Sequence, residues 1–472
     1  MEEHKQKKLQ TITLIIASVA SFITPFISSA INVALPTIGK DFNANAIGLS
    51  WVATSFLLSS AIFLVPFGRL ADIYGRKLIF NAGLIIYSIA TLLCAFAPDI
   101  SFLIVFRIFQ GMGGAMIFGT GMAIITSVFP KENRGKALGI VVASVYAGLT
   151  LGPFIGGIIT KNMGWHSLFL FTIPLGLLSL VLSLIFLKGE WREAKGEKFD
   201  WKGSLIFGLA ISSLMYGFGK LPGTLGIILT GAGLLGLFIF IRFESSQSFP
   251  VININLFKTN RVFAFSNYAA LINYSATFAI GFLLSLYLQY IKGFNPQQAG
   301  QVLVVQPLLM TIFSPITGKL SDRINPGKVA SVGMAFLSVG LLILSFINQN
   351  TSIYFIIPIL VLFGIGYALF SSPNTNSIMG SVEKKYYGIA SATVGTMRLV
   401  GQMSSMGVAM LLFSLFIGNV EINSSNSDAF VASIRTAFII FAFLCFIGIF
   451  FSLARNKKNN NNDHSGSPEI SR

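Results

Sequence analysis

Apolar and polar positions alternate along this chain on a coarse scale, in fourteen long apolar runs separated by short polar stretches. The runs lie near residues 12–35, 46–67, 78–98, 101–128, 137–160, 167–187, 203–219, 222–242, 262–290, 297–317, 328–348, 352–372, 388–417 and 431–454. Each approaches the roughly 20 residues that an α-helix needs to cross a hydrocarbon core about 30 Å thick. The pattern predicts an all-α polytopic membrane protein with 14 transmembrane helices.

Composition agrees with this pattern. The chain is 54% hydrophobic and 11% charged, less than half the roughly 25% charge of a soluble domain. Its net charge of +16 would suit a nucleic acid, but the basic residues stand in short loops between apolar runs. That placement argues for no nucleic-acid partner and for contact with the headgroups of membrane lipids. With the N-terminus inside, 26 of the 33 Lys and Arg fall in cytoplasmic segments and 5 outside, with Arg107 and Arg398 inside spans. The asymmetry predicts a multi-pass protein of a cell (inner or plasma) membrane with both termini cytoplasmic. The first run is long for the apolar part of a signal peptide, and its removal would leave an odd number of spans, so it reads as a retained span. Cys94 and Cys445 both sit in apolar runs and read as packing residues. Neither a disulfide framework nor a metal or cofactor site is expected.

An internal repeat sets the organisation. Gly68-Arg69-Leu70-Ala71-Asp72 and Gly318-Lys319-Leu320-Ser321-Asp322 share the form Gly-basic-Leu-small-Asp. Each follows a span on the side expected to be cytoplasmic. Six helices with tight connections need only about 200 residues, whereas the two copies stand 250 apart. The surplus fits an inserted helical pair. The expected domains are an N-terminal six-helix bundle over 1–188, a linker and two inserted helices over 189–242, a C-terminal six-helix bundle over 243–454, and a disordered tail over 455–472. Repeated halves rocking about a midplane site are a transporter architecture.

The motifs resemble the major facilitator superfamily, most closely its fourteen-span drug:proton antiporters, over about nine-tenths of the chain. The loop Gly68–Lys77, with Arg69, Asp72, Gly75 and Arg76, looks like the signature between spans 2 and 3, and Gly318, Asp322 and Arg323 look like its second copy. The resemblance implies a gating cluster that latches the cytoplasmic side. Physically, Gly68 would let helix ends approach, Gly75 would permit a tight turn, and Asp72 would accept hydrogen bonds from Arg76 or a helix N-terminus. In span 4, Arg107–Gly114 resembles the family's arginine motif. In span 5, Gly148, Gly152, Pro153, Gly156 and Gly157 look like the antiporter motif, which implies export; Gly148, Gly152 and Gly156 make one bare helix face. Span 1 ends Asn32-Val33-Ala34-Leu35-Pro36 in a similar way, but Ile27 stands where the family pattern carries an Asp.

Charge then narrows the chemistry. All 17 acidic residues are expected in loops or tails, so no carboxylate lies deep in a span. An arginine in a span costs at least about 2.5–3.5 kcal/mol and therefore faces a partner or a cavity. Arg107 has outward snorkelling as an alternative. Arg398 is the deeper, with Gln402 as a local neighbour. The expected substrate is a small amphipath that is neutral, zwitterionic or anionic. Phe22, Phe26, Asn32, Gln110, Tyr146, Asn267, Asn273, Tyr274, Gln306 and Gln402 are candidates for the cavity wall. Proton antiport is implied by the resemblance alone. The chain reads as a monomeric secondary transporter and not an enzyme, since the spans hold no paired acids or histidine cluster. The alternatives are export of an endogenous lipid, fatty acid or peptide-like anion, and a non-transporting membrane sensor on the same scaffold.

Overall fold

The computed structural model describes residues 2–247, 254–382, 387–418, 420, 422 and 426–455. Among these residues every regular element is helical. The first eight helices are α1 (Glu2–Phe42), α2 (Ala46–Tyr74), α3 (Arg76–Ala95), α4 (Ile100–Val128), α5 (Lys131–Met163), α6 (His166–Phe186), α7 (Trp201–Lys220) and α8 (Thr224–Glu244). After the short α9 (Ile254–Thr259), the ninth crossing is broken into α10 (Arg261–Thr277), α11 (Ala279–Leu286) and a π-turn over Tyr287–Ile291. The tenth is α12 (Pro296–Leu303) followed by α13 (Val305–Arg323). The last four are α14 (Pro326–Leu344), α15 (Ile353–Gly380), α16 (Tyr387–Phe416) and α17 (Ser427–Ala454).

Among the described residues, thirteen segments are long and apolar enough to cross a membrane. The fourteenth expected span, α7, is equally long but diluted by Gly, Ser and terminal lysines; it forms a hairpin with α8. Helices α1 to α6 pack mainly on one another, as do α10 to α17, and α7 touches both groups, through α2 and α16. Below, the basic end is the one carrying the Lys- and Arg-rich loops; the far end is its opposite.

Several helices outrun the apolar runs that predicted them. As a result Asp41, Asp72, Glu244 and Asp428, expected in loops or tails, lie in terminal helical turns. Helix ends project past the hydrocarbon core, where polar residues are tolerated. Glu244 is nevertheless buried.

A second correction concerns Arg455, expected to start a disordered tail. It is 3% exposed and donates to Ser266 Oγ and Asn374 Oδ1 at 2.9 Å and to Ser452 Oγ at 2.7 Å. Burial pushes its guanidinium down to about 10, so it stays charged at neutral pH. Residues 456–472 lie outside the described residues. Ending the chain after Arg455 should leave the apparent unfolding midpoint in detergent unchanged. Ending it after Ala454 should lower the midpoint, because three buried side-chain acceptors lose a donor, at a cost of about 1–3 kcal/mol each. Equal midpoints for the two truncations would refute this role.

Candidate functional site

The loop Gly68–Lys77 is held by a segment of its own half. Gly75 has φ 136°, a conformation that side chains disfavour, and so allows α2 to turn at once into α3. Arg76 then points inward, 6% exposed. Its Nε donates to Asp72 Oδ1 at 2.9 Å, and its Nη1 to Ser127 Oγ at 2.8 Å. Its third partner is Glu193, at 2.8 Å. Glu193 belongs to the segment after α6, and that segment tracks the whole motif. Glu190 accepts from the Lys77 and Leu78 amides at 2.7 and 3.2 Å, capping α3. Glu197 pairs with Arg69. The backbone joins in, with Arg76 N donating to Trp191 O and Ala194 N to Asp72 O. These three glutamates were missed in the sequence, where the only signal was their recurrence in an otherwise basic linker. Gly68 does not mark the tight approach expected there, since a Cβ on it would meet nothing within 4 Å. In the second copy of the motif, Gly318 lies against Ser372 and Arg323 is exposed. The side chain of Asp322 is outside the described residues.

The span 5 motif turns out to have two faces. Cβ atoms on Gly148 and Gly156 would sit 2.5 Å from Phe22 O and 2.7 Å from the Ala30 Cβ. Gly152 similarly abuts Phe26 O and Ser29. These three glycines therefore seat α5 on α1, inside the first half. Gly157 and Pro153 face the other half. A Cβ on Gly157 would lie 2.5 Å from Pro296 O, and Gly300 rests on the Pro153 carbonyl. Hydrogen bonds join the halves nearby: Lys161 Nζ to Gln297 Oε1 at 3.0 Å, Ser285 Oγ to Asn32 O at 2.6 Å, and Gln289 Nε2 to Val33 O at 2.9 Å. Ser285 and Gln289 flank the start of the π-turn, a distortion often found at functional positions. Together these contacts seal the far end.

The two intramembrane arginines have different surroundings. Arg107 is neither snorkelled nor in a cavity. It is 1% exposed, donates to Val52 O at 3.1 Å and Gln110 Oε1 at 2.5 Å, and lies 4.5 Å from the Phe56 ring centre. Gln110 passes the network on to Thr91 Oγ1 at 2.8 Å. Both residues, the second a candidate for the cavity wall, therefore tie α2, α3 and α4 together within the first half.

Arg398 lies between the halves, its guanidinium 5.0 Å from the centre of the Phe118 ring of the first half. Among the described residues it makes no hydrogen bond and no ion pair, and none with Gln402. Tyr146 of α5 lies beside Ser314 and Ser371 and within electrostatic reach of Tyr274 and Arg398. Thr150 and Thr311 meet at 3.0 Å across the same gap. Of the other candidates, Phe22 and Phe26 stack on each other at 5.4 Å, with Phe26 fully buried. Asn267 donates to Phe263 O in its own helix. Asn273 is fully buried, with neither side-chain amide atom hydrogen-bonded among the described residues. Gln306 and Gln402 are half-buried, without side-chain bonds among the described residues. Cys94 and Cys445 are buried, free thiols.

Comparisons with known proteins match this arrangement. The family profile described as Major Facilitator Superfamily matches residues 17–406 and 266–470. The chain is 32% identical over 452 residues to the riboflavin transporter RibZ of Clostridioides difficile, covering 94% of this chain and 97% of that one. It is 30% identical over 411 residues to the multidrug resistance protein Stp of Mycobacterium tuberculosis, covering 86% of this chain and 75% of that one. Among solved structures, a bacterial homologue of the lysosomal transporter Spinster, inward-facing and unoccupied, aligns with TM-score 0.67 at 15% identity, over 96% of this chain and 97% of that one.

Proposed function

Because the chain belongs to the major facilitator superfamily, a family of membrane transporters and not of enzymes, we propose that it exports small, flat or aromatic amphipaths that are neutral or anionic. The observation that carries this reading is Arg398. It is a charge between the halves whose one partner is the face of Phe118, with no carboxylate and no hydrogen bond among the described residues. A half-buried guanidinium facing the gap lacks anionic company, and an aromatic ligand with carbonyl, carboxylate or phosphate oxygens supplies it. A permanent cation would be repelled. The sealed far end is read as the outer face, from the loop charges, so the cavity takes its load from the cytoplasm. Proton antiport is the coupling implied by resemblance to the drug:proton antiporters.

Similarity to RibZ favours a second reading, movement of riboflavin itself. This vitamin is planar, uncharged at neutral pH and rich in carbonyl acceptors, so Arg398, Tyr146 and Tyr274 suit it as well as a drug.

The test uses proteoliposomes of known protein orientation holding a pH-sensitive dye, given in turn riboflavin, a lipophilic weak acid and a permanent lipophilic cation. The weak acid or riboflavin should move, with the cation at least tenfold slower, and Arg398→Gln should abolish the difference. Rapid efflux of the cation, undiminished in Arg398→Gln, would overturn the proposal. The sign of the flux separates export from uptake, and binding without flux would support a sensor.

A further inference from the structure

The inserted hairpin leaves a groove at the far end, where α7 packs beside α2 and α16. It encloses about 540 Å³ between α2, α4, α7 and the end of α16, lined by Gly48, Trp51, Ile104, Tyr216, Lys220 and Ser414 among others. Three features fit it to one kind of occupant. Lys220 has no carboxylate partner among the described residues and rests over the Tyr216 ring at 5.7 Å. Trp51, 6.0 Å from Tyr216 between ring centres, donates no hydrogen bond from its indole nitrogen among the described residues. On α4, Phe102 and Val105, next in sequence to the lining residues Ser101 and Ile104, are exposed and offer an apolar surface to acyl chains. The carboxylate nearest in sequence, Asp99, is engaged with the Ser101 and Phe102 amides at 2.7 and 3.0 Å.

We propose that this groove holds the headgroup and ester region of an anionic phospholipid from the leaflet at the far end. Lys220 takes the phosphate, the Trp51 indole N–H takes an ester oxygen, and the acyl chains run down the exposed face of α4. An unpaired lysine above an aromatic pair at the depth of the membrane interface is the chemistry that anionic headgroups meet. The place has a mechanical meaning. The groove lies where α7 bridges α2 of one half and α16 of the other, and Gly219 lies against both Trp51 and Met410. A lipid seated there touches both moving bodies.

The test is fluorescence quenching of the purified full chain in nanodiscs containing brominated phosphatidylglycerol or brominated phosphatidylcholine. The Trp51 signal is isolated as the difference between wild type and Trp51→Phe. Quenching by the anionic lipid should reach its midpoint at about a fivefold lower mole fraction, the preference expected for one lysine near the surface. Lys220→Gln should erase the preference, while Lys40→Gln, exposed at the same end on α1, should keep it. Equal midpoints for the two lipids, or a preference that survives Lys220→Gln, would overturn the proposal. So would loss of quenching when a transported amphipath is added at saturation, since the groove would then belong to the substrate. The readout is binding, so it stands or fails apart from any measurement of flux.

Discussion

Gly300→Ala is expected to slow transport while leaving a folded, membrane-inserted protein. Gly300 lies in α12, and an added Cβ would overlap the Pro153 carbonyl oxygen across the junction of the halves. The obstacle is backbone, so no side-chain rotation relieves it. Nor can α12 shift easily, because its start is fixed by a capping box between Asn295 and Gln298 with Pro296 at its first position, and by the approach of Gly157 to Pro296 and Gln297. Overpacking of this kind costs about 1–3 kcal/mol, which moves a two-state equilibrium about 5- to 150-fold. The displaced state is the one with the far end sealed. Transport should fall at least about fivefold. A short bifunctional thiol reagent should join Lys161→Cys to Gln297→Cys, residues whose native side chains meet at 3.0 Å, in much lower yield with Gly300→Ala than without it. Gly152→Ala is the contrast. Gly152 is pressed against α1 of its own half, so that substitution should lower thermal stability instead. Normal flux and normal cross-linking in Gly300→Ala would show that the seal is not part of the cycle.

Arg76→Ala should also be damaging. It removes bonds to Asp72, Ser127 and Glu193 from a nearly buried position. Glu193 is 69% exposed, so its share is at most about 1 kcal/mol. The larger loss is at Asp72 and Ser127, where partly buried groups lose a charged donor at about 1–3 kcal/mol each. Transport is expected to fall more than tenfold. Trypsin should cut faster after Lys188, Arg192 or Lys195, because the segment they occupy loses its anchor. Glu193→Gln should change either readout by less than threefold. Unchanged flux and unchanged proteolysis in Arg76→Ala would remove the arginine from the gating machinery.

Much of the architecture was legible in the sequence for a simple reason. In a hydrocarbon solvent the backbone must satisfy itself within each helix, so apolar length alone marks a span. Helix ends were less legible because lipid no longer constrains them, which is how Asp41, Asp72 and Glu244 came to lie in helical turns. The positions of the motifs could be read, but not their partners. Nothing in the spacing of Gly148, Gly152, Pro153, Gly156 and Gly157 tells which face meets α1 and which meets α12. Nothing local distinguishes Arg107, enclosed within its half, from Arg398, left between the halves. Those distinctions depend on which helix stands opposite, a long-range fact. Arg455 and the three linker glutamates were hidden for the same reason, since each looks like an ordinary solvated charge beside a membrane helix.

The linker also has a consequence for how force passes through the chain. A loose connection between two rocking bodies carries no torque and merely limits their separation. Here the stretch from Leu187 to Glu197 is fastened to the first half, by Lys77 at its start and Arg69 at its end, so it provides no slack. The coupling between the bodies begins at α7, a rigid rod lying along both. Rotation of one half must therefore twist or slide that rod, and the hairpin acts as a torsional spring whose stiffness helps set how readily the transporter turns over.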